Sequence, residues 1–383
     1  MHGMHSAYGV FFNPLQTEFG WNRTTISGAH SLAFFLEGLS AIVVGRLTDR
    51  FGPRIIMVAC GFILGLGYSL MSQVNTVWQL YFFYGVIVGL GTGSANVSLL
   101  STTARWFIKR LGMMSGIVKV GTGAGLFIMP LVATWLISSY GWRDSYVFLG
   151  IISMIGIVSV AQVLRRDPSQ KGLEPYGAHE QGASSSYLAG EGLTLREAMY
   201  TKQFWMFCAM YFMVWYFAIS MTLHIVPHAL DIGASAARAA GVLSTIGGAS
   251  ILGRLVMGGT GDRVGIRRAL VICFLILIIA LSWLQLAKEL WALYLFAAIY
   301  GFSHGGFFAL VSPLVAELFG TRSHGVIFGT VLFITQIGGA IGPAVTGYIF
   351  DITRSYQLAF LILLVAGVMG FTLSILLRPI RAR

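Results

Sequence analysis

GRLTDRFGPR at residues 45–54 and GGTGDRVGIR at residues 258–267 are the stretches that decide how this chain folds. Set together at a shift of 213 residues, they match at Gly45 and Gly258, Asp49 and Asp262, Arg50 and Arg263, Gly52 and Gly265, and Arg54 and Arg267. The same shift pairs Gly112, Gly116, Gly125 and Pro130 with Gly325, Gly329, Gly338 and Pro343, and Pro14 with Pro227. One constant offset holding at three separated places marks a duplicated unit, in parallel. Both charged motifs sit between long apolar runs, so the unit is a set of membrane helices joined by short polar turns.

Outward from the motifs, the 383 residues are 56% hydrophobic and only 10% charged, with a mean hydropathy of +0.78. A soluble domain carries roughly 25% charged residues, so this composition excludes one. Eleven apolar runs long enough to span a bilayer lie near 24–47, 54–72, 78–102, 112–138, 144–164, 203–230, 236–259, 268–287, 291–316, 324–350 and 357–377. MHGMHSAYGVFFNPL at 1–15 is apolar but too short to span, and it lacks the basic start and cleavage site of a signal peptide. It reads as the second half of a first helix whose beginning is missing from this chain. The expectation is therefore an all-α, polytopic protein of 12 transmembrane helices, the first truncated, in two six-helix parallel repeats. Its divisions are an N-terminal bundle over 1–164, a polar Gly/Ser-rich linker over 165–202 and a C-terminal bundle over 203–383.

A net charge of +11 invites a nucleic-acid reading, but the basic residues cluster in the turns between spans. Eighteen Lys and Arg fall on one side and five on the other, while Lys119 and Arg254 lie within spans. That asymmetry places both termini and the linker in the cytoplasm, with a bacterial inner membrane as the expected location and no nucleic-acid partner. Cys60, Cys208 and Cys273 sit in apolar runs with no metal or redox spacing. GTGAG and GLGTG lack the strand and the Lys-Ser/Thr of a phosphate loop, and neither HExxH nor GxSxG occurs. No cofactor, metal or enzymatic activity is expected.

Gly-x-x-x-Asp-Arg-x-Gly-x-Arg, once per repeat, resembles the signature loop of the major facilitator superfamily. Within it, YGVFFNPLQTEFGWNRTTISGA (8–29), ARWFIKRLGMMSGI (104–117), GWRDSYVFLG (141–150) and GRLVMGGTGDRVG (253–265) resemble the monocarboxylate transporter and oxalate/formate antiporter branch. The resemblance implies a secondary carrier that binds a small carboxylate between its halves and alternates access by rocking. It also implies that Asp49, Arg50, Asp262 and Arg263 work as gating loops, the alternative being that these charges only set topology.

An ionisable residue inside a span is costly and marks a functional candidate. Arg254 lies eight residues before Asp262, about 12 Å up its helix at 1.5 Å per residue. Its planar fork suits a carboxylate, and it falls where the related transporters keep a substrate-binding arginine in helix eight; the competing reading is an arginine snorkelling to the surface. Lys119 reads as a second anion contact or as the partner of a carboxylate. Glu37 is the only carboxylate well inside a span and is the candidate for proton coupling, unless it forms a permanent pair with Lys119. His224, one turn before His228 with Pro227 between, is either a substrate contact or a packing histidine; His304, flanked by glycines, reads the same way with close helix contact first.

Tyr8, Asn96 and Phe333 complete the expected substrate pocket. Here the chain departs from its relatives: Ser250 stands where animal monocarboxylate transporters carry an aspartate, Ser6 stands where they carry a lysine, and VLFITQIGGAIGP (331–343) lacks the lysine of the oxalate transporters. The expected function is transport of a small organic anion, a monocarboxylate first, by proton symport or anion exchange, with protons or a counter-anion and the lipid bilayer as partners. A drug/proton antiporter is the rival within transport, although AGLFIMP (124–130) replaces the Gly-Pro-x-x-Gly-Gly of those exporters. A non-transporting membrane sensor or inactive paralogue is the rival outside it.

Overall fold

The computed structural model describes residues 2–93, 98–99, 102–103, 106–107, 111–174, 176, 192–320 and 324–377. The first repeat holds α1 (His2–Ser6), α2 (Tyr8–Phe19), α3 (Arg23–Phe51), α4 (Pro53–Met71), α5 (Val77–Leu80), a π-helical stretch (Tyr81–Val88), α6 (Gly89–Thr92) and α7 (Leu111–Ala161). After a short α8 (Leu195–Met199), the second repeat holds α9 (Lys202–Asp231), α10 (Ala236–Val264), α11 (Ile266–Leu286), α12 (Leu290–Phe319), α13 (His324–Thr353) and α14 (Gln357–Leu376).

Eight described stretches are long and apolar enough to cross a membrane. One of them runs through Gly141, whose φ of 79° and ψ of 166° leave the helical region, so α7 counts as two spans. The stretch Val77–Thr92 is apolar and shorter; residues 94–97 lie outside the described residues. α3 has the length at 29 residues, but Thr24, Thr25, Ser27, His30, Ser31, Glu37 and Ser40 dilute its apolar character. With α1–α2 as the first, these make the twelve helices expected. The fold is all-α, and among the described residues only isolated β-bridges occur.

The repeat read from sequence is written into the backbone. Positive φ occurs at Gly20, Gly52 and Gly141, and again at Gly233, Gly265 and Arg354, each 213 residues on. Gly52 and Gly265, at 85° and 98°, turn the chain between paired helices where a side chain would be strained. The last arginine of each motif then clamps the end of its own repeat. Arg54 donates to the Gln162 side chain, and Arg267 donates to the carbonyls of Ser374 (3.3 Å) and Ile375.

The two repeats meet along α3 and α13, along α2 and α9, and along the first span of α7 and α10. Small residues permit the approach, as expected where helices pack without a hydrophobic driving force between them. A Cβ at Gly247 would strike the backbone of Leu126 and Phe127. Pro227 lies inside an unbroken α9; it has no N–H for the carbonyl four residues earlier. That carbonyl, of Leu223, abuts Gly9, where a Cβ would lie 2.8 Å from it.

The outer surface is a lipid-facing coat. Leu358, Leu361, Val365, Val368 and Met369 form an exposed apolar stripe on α14 at helical spacing. Trp78, Trp135, Tyr140 and Trp291 are exposed near one end of the bundle, and Tyr200 and Trp205 near the other, the aromatic belts of a multi-pass membrane protein.

Candidate functional site

Three groups of polar side chains lie inside the bundle. The first seals one end. Asn22 caps α3 by accepting from the Thr25 N–H at 2.8 Å, which leaves Arg23 on the first turn, facing the other repeat. Its guanidinium donates to both oxygens of Asp231 at 2.8 and 2.7 Å and to the Tyr356 hydroxyl at 2.6 Å, and it stacks 3.7 Å above the Phe350 ring. Asp351, at the last turn of α13, accepts from the backbone N–H groups of Arg23 (3.0 Å) and Thr24 (2.7 Å) and from the Thr24 hydroxyl. A carboxylate on the exposed N–H groups of a helix start is the favourable arrangement for the helix dipole.

His224 belongs to this seal. Its Nδ1 meets the Tyr356 hydroxyl at 2.9 Å, and its Nε2 meets the Pro343 carbonyl at 2.9 Å and the Ser27 hydroxyl at 3.3 Å. A carbonyl only accepts, so the network assigns the proton to Nε2 and leaves Nδ1 to accept from Tyr356. With both nitrogens engaged, His224 joins α9 to Tyr356 and Pro343 of its own repeat and to Ser27 of the other.

The second group holds two of the residues expected from sequence, Arg254 and Lys119. Arg254 on α10 is 7% exposed, so it does not reach a surface; it lies inside the bundle. It packs over Gly123 of α7, where any Cβ would collide with its Nη1. Lys119 is one turn earlier on the same helix and lies within electrostatic reach of both Arg254 and Glu37. His304 of α12 is also in the Arg254 field. The guanidinium donates to Ser250 at 3.3 Å. Its Nε is buried with no hydrogen-bond partner, and among the described residues Arg254 forms no ion pair.

The third group holds Tyr8 and Glu37, both singled out from the sequence, together with a histidine pair that sequence reading missed. His5 and His30 lie ring to ring with centroids 4.4 Å apart. Tyr84 lies 5.8 Å from His5 and 6.0 Å from His30, with Tyr8 4.1 Å from Tyr84. Tyr68 and Tyr146 stand behind them, and Glu37, 3% exposed, borders the cluster. The signal was present as a helical period: Arg23, Ser27, His30 and Glu37 share one face of α3.

The remaining expected residues fall as follows. Tyr8 is buried in the first repeat, and its hydroxyl donates to the Ile26 carbonyl at 3.1 Å, so it is part of the third group rather than a neighbour of Arg254. Phe333 is half-buried on α13. Asn96 and the Asp49 side chain lie outside the described residues. Arg50, Asp262 and Arg263 are exposed at the end opposite the seal.

The model of the Major Facilitator Superfamily matches residues 2–258 and 204–383, the whole chain but its first residue. Monocarboxylate transporter 13 of Rattus norvegicus is 25% identical over 362 residues, covering 94% of this chain and 81% of that protein. The oxalate:formate antiporter of Oxalobacter formigenes is 26% identical over 390 aligned positions, covering 98% and 88%. Among solved structures, a bacterial homolog of the human lysosomal transporter Spinster, in its inward-facing and unoccupied conformation, superposes with a TM-score of 0.76 at 16% identity, covering 100% of this chain and 96% of that one.

Proposed function

The chain belongs to the major facilitator superfamily, and we propose that within it this protein is a secondary active carrier of a small monocarboxylate, coupled to proton symport. The observation that carries the reading is Arg254: a buried guanidinium with, among the described residues, no ion pair and an unpartnered Nε. A charge left so in the membrane interior is costly unless a ligand of opposite charge completes it. A carboxylate is the planar anion that fits its fork, held from the side by Lys119. The likeness to a monocarboxylate transporter and an oxalate:formate antiporter supports the same substrate class. It also favours anion exchange as the second mode.

Two positive groups facing one site are balanced by Glu37 in the first repeat. Coupling then follows from charge: a carboxylate entering with a proton on Glu37 leaves the site's net charge unchanged from one state to the other. Alternating access is the rocking of one repeat against the other, with the Arg23 seal closing the outer side and the loops bearing Asp49, Arg50, Asp262 and Arg263 closing the cytoplasmic side. This orientation, with both termini in the cytoplasm of a bacterial cell, follows the distribution of Lys and Arg. The bundle limits are proposed as 1–164 and 203–383, with 165–202 as the cytoplasmic linker.

The test is uptake of labelled lactate, oxalate and a lipophilic cation into vesicles, with and without a pH gradient, for wild type and Arg254→Ala. Gradient-stimulated lactate uptake lost in Arg254→Ala is the expected result. Normal lactate uptake by the variant removes Arg254 from the site, and uptake of the cation alone makes the protein a drug/proton antiporter.

A further inference from the structure

We propose that His5 and His30 form a proton-binding pair that passes protons between the Arg23 seal and Glu37 along one face of α3. This inference rests on the proton-coupled reading above. It begins with an accounting of polar atoms. Among the described residues, both nitrogens of His5 and Nδ1 of His30 are buried with no hydrogen-bond partner, and the other nitrogen of His30 reaches the His5 backbone carbonyl. Three unsatisfied ring nitrogens in the interior of a membrane protein are a cost that packing alone does not explain, since an apolar pair of the same shape would avoid it. One added proton removes much of that cost. It protonates one ring, which then donates an N–H to the neighbouring imidazole. The rings meet edge to face, 4.4 Å apart at the centroids and inclined at 61°, within reach of such a bond once a ring turns.

The pair has an approach on each side. Toward the seal, Ser27 lies one turn before His30 and meets His224, which meets Tyr356, which meets Arg23. Toward Glu37, Tyr84 lies against both rings, with Tyr68 6.3 Å from it. Among the described residues the hydroxyl of Tyr68 has no hydrogen-bond partner, and both tyrosines are within the field of Glu37. From Arg23 to Glu37 the face of α3 covers about 21 Å at 1.5 Å per residue.

The titratable groups around the pair are the chain's amino terminus, whose charge acts on His5, Tyr8 from α2, Arg23 and Glu37 from α3, Tyr68 from α4, Tyr84 from the π-helical stretch, Tyr146 and Lys119 from α7, and His224 from α9. Neither ring forms an ion pair among the described residues, so the pair is open to a cation, and a proton is the cation that fits between two imidazoles. The transfer balances: a proton arriving from the seal is bound between the rings, then leaves to the Glu37 carboxylate, and the rings return to neutral.

The experiment uses full-length protein in liposomes with an internal pH dye and labelled lactate, comparing wild type, His5→Gln and His30→Gln. Gradient-driven lactate accumulation and the accompanying proton entry are expected to fall about 100-fold, the scale of a lost general acid–base group. Lactate counterflow, which needs no net proton movement, is expected to stay within about twofold. Should driven uptake persist in both variants, or should counterflow fall equally in protein that remains monodisperse, the pair is structural and the proposal is overturned.

A second measurement on the wild type covers variants that do not fold. Ring nitrogens of 15N-histidine-labelled protein in detergent are followed between pH 5 and 8 without substrate. A joint titration of two rings that take up a single proton supports the pair, and two rings that stay neutral throughout overturn it. A wild type whose lactate uptake ignores the pH gradient overturns the coupling in both readings and leaves Arg254 standing. A gradient-driven wild type with unaffected histidine variants overturns the pair alone.

Discussion

Arg254 and Lys119 are both cations in apolar helices, yet their chemistry makes different predictions. The guanidinium is a fixed fork aimed by Gly123 and Ser250, so its value lies in shape as well as charge. Arg254→Lys keeps the charge and loses the fork. Initial-rate lactate uptake is expected to fall roughly tenfold for Arg254→Lys and roughly 100-fold for Arg254→Ala, the second corresponding to about 3 kcal/mol of lost charge-assisted contact. Equal rates for wild type and Arg254→Lys would show that charge alone is used. Glu37 is expected to set the response to protons. On the proposed coupling, wild-type uptake is expected to rise as the outside pH falls, the protonated carboxyl being the form that travels with substrate; in Glu37→Gln, permanently neutral, uptake is expected to become flat across pH while exchange persists. A pH profile that keeps its slope in Glu37→Gln takes the coupling away from this residue.

At the scale of the helix, sequence made some features plain and hid others. Arg254 stood out because a lone charge in a long apolar run has no local excuse. The duplicated motifs stood out because Gly52 and Gly265 need positive φ and the arginines after them clamp their own repeats. The seal did not stand out. Arg23, Asp231, Asp351 and Tyr356 each sit at a helix end, where polar residues are ordinary, and they meet only across the fold. His30 was equally silent, since one histidine among apolar neighbours becomes notable only when His5 is found against it. The contact of α10 with α7 gives a test at this scale. Gly247→Leu drives a side chain into the backbone of Leu126 and Phe127, and overpacking of this kind costs about 1–3 kcal/mol. The thermal midpoint in detergent is expected to drop by several degrees and transport with it, whereas Gly258→Ala, with nothing within 4 Å of the added Cβ, is expected to leave both unchanged.

Across the whole molecule the seal is asymmetric in a way the repeat explains. Glu18 and Asp231 are equivalent under the 213-residue shift, yet Glu18 accepts from Arg143 at 2.7 Å within its own repeat, while Asp231 accepts from Arg23 of the other. One copy of the carboxylate therefore braces a bundle and its twin joins the two bundles. Only the joining copy has to break for the halves to rock, so the Arg23 contacts are the ones that hold the closed end closed. Asp231 loses its cross-repeat partner when the guanidinium goes, while Asp351 keeps its backbone N–H contacts to Arg23 and Thr24. A paired charge left alone in a part-buried site costs on the order of 3 kcal/mol, enough to shift a two-state balance about 100-fold. Arg23→Ala is therefore expected to open this end. Ser27, fully buried one turn below, reports it: in a background with the native cysteines replaced, Ser27→Cys should resist a membrane-impermeant thiol reagent added outside, and Arg23→Ala with Ser27→Cys should react at least about tenfold faster. Restoring a cation with Arg23→Lys should return most of the protection. Equal labelling with and without the Arg23 side chain would mean that its contact with Asp231 does not hold the gate, and that the Asp351 contacts and the packing of α3 on α13 close this end without it.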